Sequence, residues 1–228
     1  MLKWMVFALA SVLVSASPAM AGYVEGKAAY VSQDWERALQ ELKPLADKGD
    51  DRAMLLVARM YILGKAVPRS NKEALALYKR AIVEKNNAEA MAMVGQMCPT
   101  GKQALPWFKR AADMGDGTGA FFYASYLAHG AKDAEGVVPL DLYAAYVWYK
   151  RAAIAPAERS RFRGYSENQA LLLAKYKLNA ATVARADKEA AAWKSASVES
   201  LGPLPPFPEV SDKPSEAVQK KPAEKKKS

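Results

Sequence analysis

With 228 residues, 51 % of them apolar and 10 % aromatic, the chain can bury a sizeable core. One histidine, His129, and one cysteine, Cys98, exclude a His-pair metal site, a zinc site of nitrogen and sulfur ligands, and an internal disulfide. A formal charge of +9 favours acidic surfaces (nucleic acid, anionic lipid or an acidic polymer) without choosing among them.

The chain opens with an export signal over residues 1–21. Lys3 is the positive start, and Met5 to Val14 form an apolar run. That run, about ten residues, is too short for a bilayer, which needs roughly 20. Ser17-Pro18-Ala19-Met20-Ala21 places small residues at Ala19 and Ala21, so cleavage is expected before Gly22. No later stretch is apolar enough to span a membrane, and no cysteine near the cleavage site can carry a lipid. The mature chain is therefore expected in the periplasm or secreted, with no transmembrane segment after processing. In that oxidising setting Cys98 is read as a small buried residue, with a reactive thiol or an intermolecular link as the alternatives.

Residues 22–50 predict an N-terminal capping helix, Tyr23 to Val31, and a first repeat helix. Asp34 caps the latter, which runs through Ala38, Leu39, Leu42 and Leu45 to Gly49-Asp50. Residues 51–155 are repetitive. Ala53, Ala58, Gly64; Ala90, Gly95, Gly101; and Gly119, Ala124, Gly130 share one spacing of small residues. A second segment follows each: Tyr78-Lys79-Arg80-Ala81, Phe108-Lys109-Arg110-Ala111 and Tyr149-Lys150-Arg151-Ala152. Ala74, Ala104 and Ala145 stand four residues before these aromatics, on the same helix face. Small residues let first helices approach their neighbours, and the aromatics fill the space between layers. One pair cannot bury its own apolar face, so pairs stack. Each closing glycine suits a left-handed C-cap. Ser70 and Glu73 form a capping box, and Asp141 holds the matching place before Ala145.

Residues 156–196 predict two C-terminal capping helices, Glu158 to Tyr176 and Ala180 to Ala196. Residues 197–228 read as a disordered tail. Pro203, Pro205, Pro206 and Pro208 forbid a helix, and Lys213, Lys220, Lys221, Lys225, Lys226 and Lys227 follow with few apolar residues.

These residues resemble the Sel-like repeats, a branch of the tetratricopeptide-repeat superfamily. The matching pattern is small-x4-small-x5-Gly, a variable loop, Ala-x3-aromatic-Lys-Arg-Ala, then Gly-Asp at Gly49-Asp50 and Gly115-Asp116. The resemblance runs from about Tyr23 to Trp193 and implies an all-α fold, a right-handed α-solenoid of antiparallel helix pairs. The middle repeat departs from it, with Cys98 where the first has Tyr61 and an inter-helix loop of only Lys102-Gln103. The third carries a long loop, Ala131 to Leu140.

No phosphate-binding glycine loop, dinucleotide fingerprint or nucleophile elbow occurs. A Cys98–His129 dyad and a pair of carboxylates stay open as minor alternatives. No catalytic residue, metal or cofactor is expected, and nucleic acid is set aside because the export signal removes the chain from it. Arg159, Arg161 and Arg163 around Phe162 read as a solvated helix face or, with the Lys-rich tail, as a patch for anionic surfaces. First helices line the concave face in the resembling family. Phasing from the small anchors puts Leu55, Arg59, Ile62, Met93, Gln96, Phe121, Phe122 and Ser125 off the packing seam, with His129 beside them. Met54, Met60, Met91, Met93 and Met97 crowd these helices, as core filler or as an adaptable surface. The leading expectation is a repeat scaffold that binds a protein or peptide partner of the cell envelope and regulates or assembles it. The alternatives are a cell-wall ligand-binder or hydrolase, and a secreted factor directed at a host.

Overall fold

The structure is a computed structural model and describes residues 18–133, 136–156 and 160–212. The apolar run Met5 to Val14, Arg159 and the lysines from Lys213 lie outside the described residues. The helices are α1 (Pro18–Val31), α2 (Trp35–Asp47), α3 (Asp51–Leu63), α4 (Asn71–Lys85), α5 (Ala88–Met97), α6 (Gly101–Asp113), α7 (Gly117–His129), α8 (Leu142–Ile154), α9 (Arg163–Tyr176) and α10 (Ala180–Ala192). Each helix from α1 to α8 packs on the next, and α10 turns back onto α8. The odd-numbered first helices also touch across repeats, α1 on α3 and α5 on α7. The result is an α-solenoid of helix pairs. Helix α1 runs through the expected cleavage site between Ala21 and Gly22. No helix among the described residues is long and apolar enough to cross a membrane.

Helix-end chemistry explains why pair follows pair. Gly49 and Gly115 have φ of +95° and +88°, backbone that a side chain disfavours. The aspartate after each caps the next first helix. Asp50 Oδ1 accepts from the N–H of Arg52 and Ala53, and Asp116 from that of Gly119 at 2.6 Å. Between α4 and α5 the dipeptide Asn86-Asn87 does the same work. Asn86 takes the left-handed conformation at φ 51°, and Asn87 Oδ1 accepts from Ala90 N–H at 2.8 Å. Asparagine suits both places because it tolerates φ > 0 and carries a capping oxygen. Ser70 caps α4 through Glu73 N–H, Asp34 caps α2 and Asp141 caps α8.

The core follows the repeat. Tyr78, Phe108 and Tyr149 are at most 2 % exposed; Tyr78 shares a core cluster with Ala53, Ala58 and Ala90, Tyr149 shares one with Ala124, and Phe108 lies against Gly95. Fully burying an aromatic of this kind contributes about 1.5–3 kcal/mol. A Cβ on Gly95 would lie 2.6 Å from Phe108 Cε1, so α5 can meet α6 this closely only as glycine.

Four expectations need correction. Gly101 does not close α5; it opens α6, whose N-cap is Thr100, and Lys102 and Gln103 lie inside that helix. The cause is Pro99: the residue before a proline avoids the helical region, so Cys98 is extended at φ −67°, ψ 136° and α5 stops at Met97. Gly130 has positive φ but extended ψ, so among the three repeat glycines only Gly64 makes the left-handed cap. The long loop holds a short hairpin, β1 (Ala131–Asp133) antiparallel to β2 (Gly136–Val138). The last capping helices are shorter than expected, α9 beginning at Arg163 and α10 ending at Ala192.

The tail expected to be disordered from residue 197 also needs correction. Val198–Leu201 form a 3-10 turn, and the chain to Asp212 lies extended across α6 to the start of α4. Arg110 Nη1 donates to the carbonyls of Leu201, Gly202 and Pro203 at 2.9, 2.9 and 3.1 Å. Trp107 Nε1 donates to Pro206 O at 3.1 Å. The Phe207 ring sits 4.9 Å from the Trp107 ring, Lys79 Nζ of α4 lies 5.2 Å from its centroid, and Pro208 is buried. Asn71 Nδ2 donates to Ser211 O, and Asp212 accepts from Lys72 N–H and Ser70 Oγ, adding a second cap to α4. Proline-rich chain suits this placement: it has few N–H groups needing partners, it presents carbonyls, and it loses little freedom on ordering. Composition hid the apolar anchors Leu204 and Phe207 among the prolines.

Candidate functional site

The first helices build one concave cavity of about 710 Å³. Tyr30 comes from α1, Arg59 and Ile62 from α3, and Met93, Gln96 and Met97 from α5. Tyr78 of α4, Arg161, and Glu209, Val210 and Ser211 of the extended C-terminal segment also line it. The volume is within the usual range for ligand pockets, about 300–1,000 Å³. A neighbouring cavity of about 620 Å³ shares Arg59 and adds Leu55, Tyr23, Arg52, Glu89 and Asp116.

Charge in these cavities is specific. Arg59 pairs with Glu89 across α3 and α5, while its Nε is buried without a hydrogen-bond partner. Burial pushes the Tyr78 phenol up to about 12, so it stays a protonated donor. Asp116 is 3 % exposed, and burial pushes its carboxyl up to about 7, against the opposing pull of its bond from Gly119 N–H. Arg161 is exposed; its guanidinium lies 3.5 Å from Met93 Sδ and 5.9 Å from the Phe162 ring centroid.

The eight residues expected on the concave face fall into three places. Arg59, Ile62, Met93 and Gln96 line the first cavity, with Met93 nearly covered and Gln96 exposed. Leu55 is 4 % exposed and borders the second. Phe121 and Phe122 instead pack against Phe162, the residue before α9, at ring distances of 4.5 and 5.2 Å. Phe122 also stacks on Phe108 at 5.1 Å, which makes both rings part of the joint between repeats. Ser125 shares a hydrogen bond with the Tyr149 hydroxyl. His129 is exposed and pairs its Nδ1 with the Ser125 carbonyl at 2.9 Å, while Cys98 Sγ donates to Val94 O at 3.4 Å; each bond stays within its own turn of helix. Met54, Met60 and Met91 are fully buried core residues, and only Met93 and Met97 reach the cavity. Arg163 donates to the Ala155 carbonyl and so holds the turn before α9.

Sequence reasoning did not find Tyr30, Arg69 or residues 209–211 as cavity walls. Phasing from small anchors works only inside the repeats that carry them. Nothing local marks a segment that returns from 140 residues away.

No family model matches the chain, and no curated protein matches it. Solved structures do. A protective antigen of uropathogenic Escherichia coli strains displaying an SLR fold is 21 % identical over 76 % of this chain, with a TM-score of 0.54; the match spans 38 % of that protein's length. A Sel1 repeat protein from Oxalobacter formigenes is 20 % identical over 78 % of this chain and 72 % of its own, with a TM-score of 0.57. The chain folds as a Sel1-like repeat solenoid.

Proposed function

We propose that this chain is an exported scaffold, periplasmic or secreted, that holds a segment of a protein partner in the cavity of its first helices and so regulates or assembles a process of the cell envelope. The observation that carries the reading is the convergence of α1, α3 and α5 on one cavity of about 710 Å³ with adaptable walls, Ile62, Met93 and Met97, beside polar Arg59 and Gln96. Stacked repeats offer such concave surfaces to peptides, and methionine side chains adjust to what they meet. The leader at residues 1–21 supports an envelope location. Catalysis has no part in this reading: among the described residues the carboxyl pushed up to about 7, Asp116, caps α7, His129 bonds the preceding turn of α7, and Cys98 bonds the last turn of α5.

A photo-crosslinking amino acid placed at Gln96, which is exposed and lines the cavity, tests the proposal in living cells. A matched probe at Lys188, exposed on α10, is the control. A discrete crosslinked partner from position 96 and none from 188 is expected. Identical products from both positions, or none from 96, refute the cavity as the partner site.

A further inference from the structure

We infer that the segment held in this cavity is acidic: an extended peptide of the partner that sets carboxylates beside apolar side chains. The inference rests on the scaffold reading and narrows it. Three cations line the cavity, Arg59, Arg69 and Arg161, against one acid, Glu209. Arg59 is partly satisfied by Glu89 and keeps a buried Nε with no partner. Arg69 and Arg161 are exposed and form no ion pair among the described residues, where seven other Lys and Arg side chains do. Tyr78 adds a hydroxyl to the same wall. Guanidinium groups bind carboxylates with paired, charge-assisted hydrogen bonds, and more strongly where apolar walls exclude water. Those walls are present as Ile62, Leu63, Met93, Met97 and Val210.

The shape selects among anions. A membrane surface is flat and does not follow a concave cavity lined by three helices and residues 209–211. A nucleic-acid backbone needs a run of cations along an open track, whereas these three arginines share their cavity lining with Ile62, Leu63, Met93, Met97 and Val210. A peptide alternating acidic and apolar residues satisfies both kinds of wall. The chain as a whole carries a formal charge of +9, which draws acidic segments at a distance.

Fluorescence anisotropy with the mature chain tests the inference. The probes are labelled ten-residue peptides alternating Leu with Asp or Glu, and the same peptides with Asn and Gln in place of the acids. The acidic set is expected to bind at least about tenfold more tightly, the size of one lost charge-assisted contact. The double variant Arg69→Glu with Arg161→Glu should lose about that factor, while Arg69→Lys with Arg161→Lys keeps part of it. Both positions are exposed, and unchanged helical circular dichroism certifies the fold. Equal binding of acid and amide peptides, no binding by either, or full affinity in the Glu variant overturns the inference. Binding to phosphatidylglycerol vesicles through the same arginines, without peptide binding, replaces it with a membrane role. If crosslinking from position 96 still yields a partner in any of these cases, the scaffold reading stands and only its acidic preference falls.

Discussion

Replacing Gly95 with alanine adds one methyl group where the structure has no room. The new Cβ would lie 2.6, 2.8 and 3.0 Å from Cε1, Cδ1 and Cζ of Phe108. That ring cannot retreat: it is 1 % exposed and backed by Phe122 at 5.1 Å, which Phe162 holds in turn. The helices must then separate by several tenths of an ångström. Overpacking of this kind costs about 1–3 kcal/mol, and the better helix propensity of alanine returns about 0.5–1 kcal/mol. The net loss, up to about 2.5 kcal/mol, corresponds to a fall in Tm of up to roughly 5–10 °C for a chain of this size. Gly164→Ala is the internal control. It lies in α9 with nothing within 4 Å of its added Cβ, so it should be neutral or slightly stabilising. Thermal melts followed by circular dichroism compare the two. A Gly95→Ala protein that melts with or above Gly164→Ala would refute the close approach of α5 and α6.

Other outcomes follow from features already described. Phe207→Ala removes the ring that contacts Trp107 and Lys79 and should cost about 1–3 kcal/mol, read as a lower denaturation midpoint; an unchanged midpoint would mean the segment does not dock in solution. For Asp116 the folded carboxyl, at about 7, lies above its ordinary 3.8, so the folded state holds the proton more tightly. Its contribution is fully present below about pH 4 and is lost as pH rises through 7. Asp116→Asn, which keeps a capping oxygen, should gain stability relative to the parent across that window; parallel pH profiles of the melts would contradict it. Mass spectrometry of the protein from the envelope fraction should show an N-terminus at Gly22, and a chain beginning at Met1 would remove the export reading.

The repeats were legible because their physics is local. Five-residue and six-residue spacings of small side chains, and an aromatic four residues after an alanine, are the direct imprint of one helix crossing another. The caps at Asp34, Ser70 and Asp141 were equally local. Asn86-Asn87 went unread because its chemistry is that of Gly-Asp in different letters. The break at Met97 was signalled by Pro99, but the spacing of Gly101 pointed the other way, and proline geometry won. The cavity was half legible. Arg59, Ile62, Met93 and Gln96 follow from helix phase, whereas Phe121 and Phe122 lie on the same phase and are taken up by Phe162. Phase says which way a side chain points and not what stands opposite.

The segment from Leu201 to Asp212 changes what kind of object this solenoid is. In a plain repeat array each pair answers only to its neighbours, and the ends open independently of the middle. Here Arg110, Trp107, Lys79, Asn71 and Ser70 hold one strip of backbone that is anchored at its other end to α10, where Ala196 N–H also bonds Asp113 O. A stack that is one-dimensional by its helices is thereby closed into a ring by its chain. Loosening the α4 end releases a tether on the α10 end, so the two halves share one unfolding event. The contacts that impose this span 91 to 142 residues, a loop-closure cost that local helix pairing does not carry.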